Sequence, residues 1–181
     1  MPARDGAPGT VSINRAPVLT LWAAVVAERL GFDRAEALTL GRAVAGLNAA
    51  SKGSALGLFK PASHAEVKRH RAEGKQGESS SVELLHRAVP VTHTEDGIRA
   101  LAGGRPTKPE SVERYLEVKF GEGLEPTRKA MQALADSLPP AELAVQAFAL
   151  YEAFRPAVPK GVRGWGKAGV LDLAVIRSLA K

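Results

Sequence analysis

The chain has 181 residues, enough for one domain of ordinary size, and 45% of them are hydrophobic, well above the disordered range. It contains no cysteine, which excludes disulfides, thiolate metal sites and thiol nucleophiles. Aromatics at 5% leave the core to Leu, Val and Ala, with Ala- and Leu-rich stretches favouring helix, and a formal charge of +6 points to an acidic partner.

In chain order, residues 1–12 are rich in Pro and Gly and read as a disordered arm. The apolar run over 16–27 (APVLTLWAAVVA) lies behind Arg4 and Arg15, as a signal peptide does. Its pattern continues into Glu28, Arg29 and Leu30 and ends at Gly31, so it is read as a buried helix, too short to span a bilayer. A cytoplasmic location without membrane association is expected. The first helix covers 17–30, with Pro17 at its first position and Gly31 as its stop. Val18, Leu21, Trp22 and Val25 share a stripe that Val26 and Leu30 widen.

The second helix opens on a capping box, Asp33 with Glu36, and runs to about residue 50. Gly41 and Ala45 on it allow another helix to approach closely. The two form a helical hairpin over 17–50 with more apolar surface than a hairpin can bury alone. That surplus implies a central position in a bundle or a homodimer interface.

Residues 51–61 form a Gly-rich basic loop, and a second capping box at Ser63 and Glu66 starts a short polar helix stopped by Gly74. Residues 75–81 (KQGESSS) read as a linker, dividing 13–74 (hairpin plus short basic helix) from a helical unit over 82–181. Residues 82–91 (VELLHRAVPV) are either a short helix or the chain's one strand, ended by Pro90. Helices follow over 95–102, 109–120 and 125–138, and another begins at Pro139-Pro140 with Leu143, Ala147, Leu150, Tyr151 and Phe154 as its stripe. The last is capped by Asp172 and buries Leu173, Ile176 and Leu179. The expected fold class is all-α, with at most one short strand near 82–91.

The basic Gly-rich loop 155–169 carries two literal phosphate-loop strings. Residues 164–169 match G-x-G-x-x-G, and 161–167 match G-x-x-x-x-G-K with Ala168 where Ser or Thr belongs. Both chemistries need a strand before the loop and a helix after it, in a βαβ unit for which about a dozen remaining residues leave no room. His64, His70, His86 and His93 show no zinc-helix spacing, and no G-x-S-x-G occurs. No catalytic residues, metal or cofactor are therefore assigned.

Two basic groups remain. Lys52, Lys60, Lys68, Arg69 and Arg71 surround the short polar helix, where Glu66 and Glu73 are alternative partners for the cations. Lys160, Arg163 and Lys167 alternate with glycines around Trp165, which is either a stacking group or a core plug. Flexible cations beside an aromatic ring suit a phosphodiester backbone. The expected function is non-enzymatic nucleic-acid association, as a DNA-binding regulatory or architectural protein. The rival is a scaffold module that uses the hairpin's apolar surface, with the charge serving solubility.

Overall fold

A computed structural model describes residues 9–55, 80–102, 104–156 and 169–180. Strand β1 (Thr10–Ile13) leads into helices α1 (Arg15–Arg29) and α2 (Arg34–Ala55). Strands β2 (Ser80–Leu84), β3 (Arg87–Thr94), β4 (Gly97–Ala102) and β5 (Arg105–Pro106) follow. Helix α3 (Pro109–Phe120), a 3-10 turn (Gly121–Gly123), α4 (Leu124–Asp136) and α5 (Pro140–Phe154) come next, and β6 (Gly169–Asp172) and α6 (Leu173–Leu179) close the order. The all-α expectation is overturned. Helices share the chain with two antiparallel sheets, one of β1 and β6 and one in the order β2-β3-β4-β5.

The α1–α2 hairpin forms for local reasons that the residues state openly. The Glu36 amide donates to Asp33 Oδ1 at 2.8 Å while Glu36 Oε1 accepts from the Asp33 amide at 3.0 Å, the reciprocal capping box. Where the helices cross, Gly41 faces the α1 backbone. A Cβ built there would stand 2.9 Å from the Ala24 amide nitrogen and 3.2 Å from the Ala24 methyl. The missing side chain is what lets the helices meet.

Helix α1 is the centre of the molecule. Every residue from 17 to 27 is buried, under α2 on one side and under α3, α4 and α5 on the others. Trp22 is fully buried, donates from Nε1 to the Ala147 carbonyl at 2.9 Å and meets Phe154 edge-on at 5.3 Å. The apolar surplus that suggested a homodimer through 17–50 is taken up within the chain. Among the described residues, the large exposed hydrophobics are Val118, Val145, Val170 and Val175, and none belongs to the hairpin.

The larger sheet corrects two readings. Residues 82–91 contain no helix: they are the end of β2, a turn at Leu85 and His86 and the start of β3, and Pro90 lies inside β3 instead of ending it. Proline is tolerated because the β4 ladder starts only at Val91, so no β4 partner faces residue 90. The β2–β3 turn places Leu85 and His86 at φ 49° and 61°, values that usually call for Asn-Gly. Left-handed backbone costs roughly 1–2 kcal/mol per residue. Leu85 is 3% exposed, and burying a leucine returns a comparable ~2 kcal/mol.

Residues 95–102, expected as helix, contain the β3–β4 turn and β4 itself. Thr94 Oγ1 does accept from the Asp96 amide, as a cap does, but it also donates to the Gly97 carbonyl and closes a hairpin. The N–H groups of β4 outside the β3 ladder are satisfied from α2. Ile98 donates to Glu36 Oε2 at 3.0 Å and Ala100 to Thr39 Oγ1 at 3.1 Å. Two polar side chains of a helix thus cover an open strand edge.

Helices α3, α4 and α5 fall close to their expected spans, and Asp172 caps α6 by accepting from the Ala174 amide. The small sheet was absent from the sequence reading. Its register, Thr10 with Asp172 through Ile13 with Gly169, places residues 10–12 in a paired strand and not in the disordered arm assigned to 1–12. Residues 1–8 lie outside the described residues.

Candidate anion-binding site

Lys60, Lys68, Arg69, Arg71, Lys160, Arg163, Trp165 and Lys167 lie outside the described residues, and Lys52 is described only as a backbone position on α2. What the structure fixes is where the two basic segments are rooted. Residues 56–79 depart from the end of α2 at Ala55 and rejoin at β2. Residues 157–168 depart after Pro156 and rejoin at Gly169. The Pro156 carbonyl accepts from Arg15 Nε at 3.1 Å, and Gly169 pairs with Ile13. Both ends of the second segment therefore sit at the β1–α1 junction. The phosphate-loop strings sit between a helix, α5, and a strand, β6, the reverse of the order that nucleotide loops require.

At that junction Arg15 is the first residue of α1. Because α2 runs back antiparallel to α1, its later turns lie beside Arg15. Arg15, Ala16 and Leu19 of α1, Asn48 with its alanine neighbours on α2, and Tyr151 of α5 line one shallow recess. Asn48, 8% exposed, accepts at Oδ1 from Arg87 at 3.1 Å, which leaves its amide N–H groups as the free end. From Asn48 the helix continues about 10 Å to Ala55, passing Lys52 one turn on.

The arginines of this region form no ion pair among the described residues, although the Glu152 carboxylate lies close enough to act on Tyr151. Among the described residues, ion pairs join Arg29 to Asp136, Arg34 and Arg128 to Glu113, and Arg128 to Glu125. Arg128 is 7% exposed and has two carboxylates, the usual condition of a buried cation. Arg15, Arg87 and Arg155 take part in none of these pairs. Burial lowers the Arg15 pKa, and the neighbouring Arg155 guanidinium lowers it further, although a guanidinium stays charged at neutral pH. Burial also pushes the Tyr151 phenol up to about 12, against the pull of Arg15 and Arg155 and with the Glu152 carboxylate adding to the rise. The phenol is therefore a neutral hydroxyl, and no hydrogen-bond partner for it occurs among the described residues.

The first turn of α1 points the same way. Asn14 makes no capping hydrogen bond with its side chain, and the turn contains no acid. Its N–H groups and the positive end of the helix dipole add to the two cations. Arginines, a phenol, an amide and a helix start, with Glu152 as the carboxylate acting on the phenol, form a cationic set that leans towards an anion.

Sequence reasoning missed this set for identifiable reasons. Tyr151 falls on the apolar stripe of its helix and reads as core, which its ring is: it packs against Phe148 and Phe154. Arg15 reads as the flank of an apolar run, and Arg87 and Asn48 carry no local mark. Arg155 opens the basic loop 155–169 and is marked in the sequence only by that position. The signal available was the run of residues from Arg155 onward with a single acid, Asp172.

Comparison with protein-family models, with curated proteins and with solved structures finds no match. Among the described residues no helix is long and apolar enough to cross a membrane.

Proposed function

We propose that this chain is a non-enzymatic nucleic-acid-associated protein, regulatory or architectural, that holds phosphates electrostatically. One observation carries the reading. Arg15 and Arg155, without carboxylate partners among the described residues, stand where the cationic segment 157–168 is rooted at both ends. That segment contributes Lys160, Arg163 and Lys167 and no acid. Lys52, Lys60, Lys68, Arg69 and Arg71 belong to α2 and the segment that follows it, and add a second basic arm. A polyanion binding here releases condensed counterions while meeting Arg15 and Arg155, which form no ion pair among the described residues. The rival scaffold reading invoked the apolar surface of the hairpin, of which the α1 part, residues 17–27, is buried within the chain.

The experiment is a salt titration of fluorescent duplex and single-stranded DNA and RNA. Retention is expected at low salt, with a steep fall in affinity as salt rises. Replacing Lys160, Arg163 and Lys167 together with Ala lowers the log–log slope by about two to three units, close to 0.9 for each phosphate contact removed. Absence of retention of every probe at about 50 mM salt overturns the proposal.

A further inference from the structure

We infer that the groove between α5 and the β2–β3 turn is a docking site for a cationic amphipathic helix of a partner protein. The inference stands apart from the nucleic-acid reading, because it concerns an acidic face of a chain whose net charge is +6.

The groove has a cavity at its base. Val26, Leu84 and Leu85 form the floor, each no more than 3% exposed. Leu30 and Ala144 line the sides, while Glu83 and His86 stand exposed at the mouth. The left-handed backbone at Leu85 and His86 accompanies this split of consecutive side chains, one to the floor and one to the mouth. At about 230 Å³ the cavity is smaller than the usual small-molecule pocket of roughly 300–1,000 Å³ and has room for one large apolar side chain.

Beside it, α5 presents an apolar flank. The helix packs on α1 through Leu143, Ala147, Tyr151 and Phe154, all buried. Ala141, Ala144, Val145 and Phe148 follow at the i, i+3, i+4, i+7 spacing of a second helix-packing stripe. The first three are exposed, Val145 by 67%, and Phe148 is half-buried. Ala144 belongs to both the stripe and the cavity wall, which makes them one continuous surface. A helix lying along the stripe sets one of its side chains over the cavity, the arrangement of an interface anchor in its pocket.

Charge selects the occupant. Residues 130–154 contain Asp136, Glu142 and Glu152 and no Lys, Arg or His, in a chain with an excess of cations. Asp136 is engaged by Arg29, which also donates to the Leu138 carbonyl. Glu142 borders the stripe, where it accepts from the neutral Gln146, and Glu152 ends it one turn beyond Phe148. With Glu83 at the cavity mouth, the carboxylates outnumber the one basic side chain there, His86. Such a border repels nucleic acid and anionic lipid and draws a helix with Lys or Arg beside its apolar face. A second copy docked through the same face across a two-fold axis would set these carboxylates against one another.

The test titrates the full chain into two labelled synthetic helices that share one apolar stripe with a central Phe, the remaining positions being Lys in one and Glu in the other. Anisotropy should saturate with the Lys helix, and the Glu helix should bind at least about tenfold more weakly. Val145→Arg adds bulk and like charge at an exposed position and should weaken the Lys helix about tenfold or more, whereas Val118→Arg, at a comparably exposed valine of α3, should leave its affinity unchanged. Glu142→Gln should reduce the salt dependence of binding without abolishing it. Exchanging the central Phe of the Lys helix for Ala should also weaken it about tenfold. Equal affinity for the two helices, or equal effects of the Val145 and Val118 variants, overturns the proposal. So does an ineffective Phe exchange, because the cavity would then hold nothing. Light scattering that finds the chain alone dimeric and the Val145→Arg variant monomeric also overturns it, by giving the face to a second copy.

Discussion

Replacing Gly41 with Ala should destabilise the protein, although the same change in an exposed helix is stabilising. Alanine is favoured over glycine inside a helix by about 1 kcal/mol, since glycine loses more backbone entropy on folding. At position 41 the added methyl meets backbone, with the Ala24 amide nitrogen 2.9 Å away and the Thr20 carbonyl also in its path. Backbone of a central helix has no rotamer by which to yield, so α1 and α2 must separate. Overpacking of this kind costs about 1–3 kcal/mol, and rigid obstacles place it at the upper end. The net is a loss of about 2 kcal/mol, or roughly 4–8 °C in Tm for a chain of this size. Gly46 on the same helix is the control. It is exposed, and a Cβ there meets nothing within 4 Å, so Gly46→Ala should stabilise by roughly 0.5–1 kcal/mol. Urea unfolding of the two variants gives the answer directly. The same sign for both would falsify the assignment of Gly41 as the contact point of the hairpin.

Glu36→Gln keeps the size but turns one acceptor into a donor, against either the Asp33 or the Ile98 amide. We expect a loss of about 1–2 kcal/mol and faster hydrogen exchange at Ile98, and unchanged exchange there would refute the clamp between α2 and β4. Trp22→Phe removes the buried bond to the Ala147 carbonyl and leaves a void, for a loss of about 2–3 kcal/mol by denaturant titration. Alkaline stability is the remaining expectation. Tyr151 ionises at about 12 when folded against an ordinary value of 10.0, and Tyr115 is also raised by burial, opposed by Arg42. Between those values the unfolded chain has lost a proton that the folded chain keeps, so stability is intact below pH 10 and declines as pH rises towards 12. Tyr151→Phe should flatten that decline in urea midpoints, and an unaltered pH profile would count against the burial of the phenol.

The elements legible in the sequence are those whose cause is local. The Asp33–Glu36 box, the proline at the start of α3, the Asp172 cap and the small residues of α2 each act within a turn or two of themselves. The sheets depend on partners far away in the chain. Residues 97–102 (GIRALA) are rich in helix formers, and they become a strand because β3 pairs on one side while Glu36 and Thr39, more than 60 residues earlier, take N–H groups on the other. Leu85 and His86 occupy turn positions that composition assigns to Asn and Gly, so the hairpin lacked its usual signal. Residues 169–172 are too short a run to announce a strand, and their partner is at the opposite end of the sequence. Tertiary context outweighed propensity in each case.

The site divides along the same line. Runs of cations are visible in a sequence because charge needs no fold to be counted, and so the basic segments stood out. Whether a cation is available to a ligand depends on its neighbours, and those are set by the fold. Arg128 and Arg15 look alike in sequence, yet Arg128 is matched by Glu113 and Glu125 while Arg15 has Arg155 beside it. Net charge alone therefore overstates the cations free to bind, and the ion-pair pattern separates them. This gives a sharper comparison than the total of +6. Neutralising Arg34, which is exposed and already paired to Glu113 at 2.8 Å, changes net charge by the same amount as Arg155→Gln. If long-range charge alone attracts a polyanion, the two substitutions reduce nucleic-acid affinity equally. If the unpaired cations at the α1 start make contact, Arg155→Gln lowers both the affinity and the salt slope, the latter by about one unit, while Arg34→Gln leaves the slope where it was. Parallel anisotropy titrations of the two variants over a salt series separate these outcomes, and equal slopes would remove the recess from the binding surface.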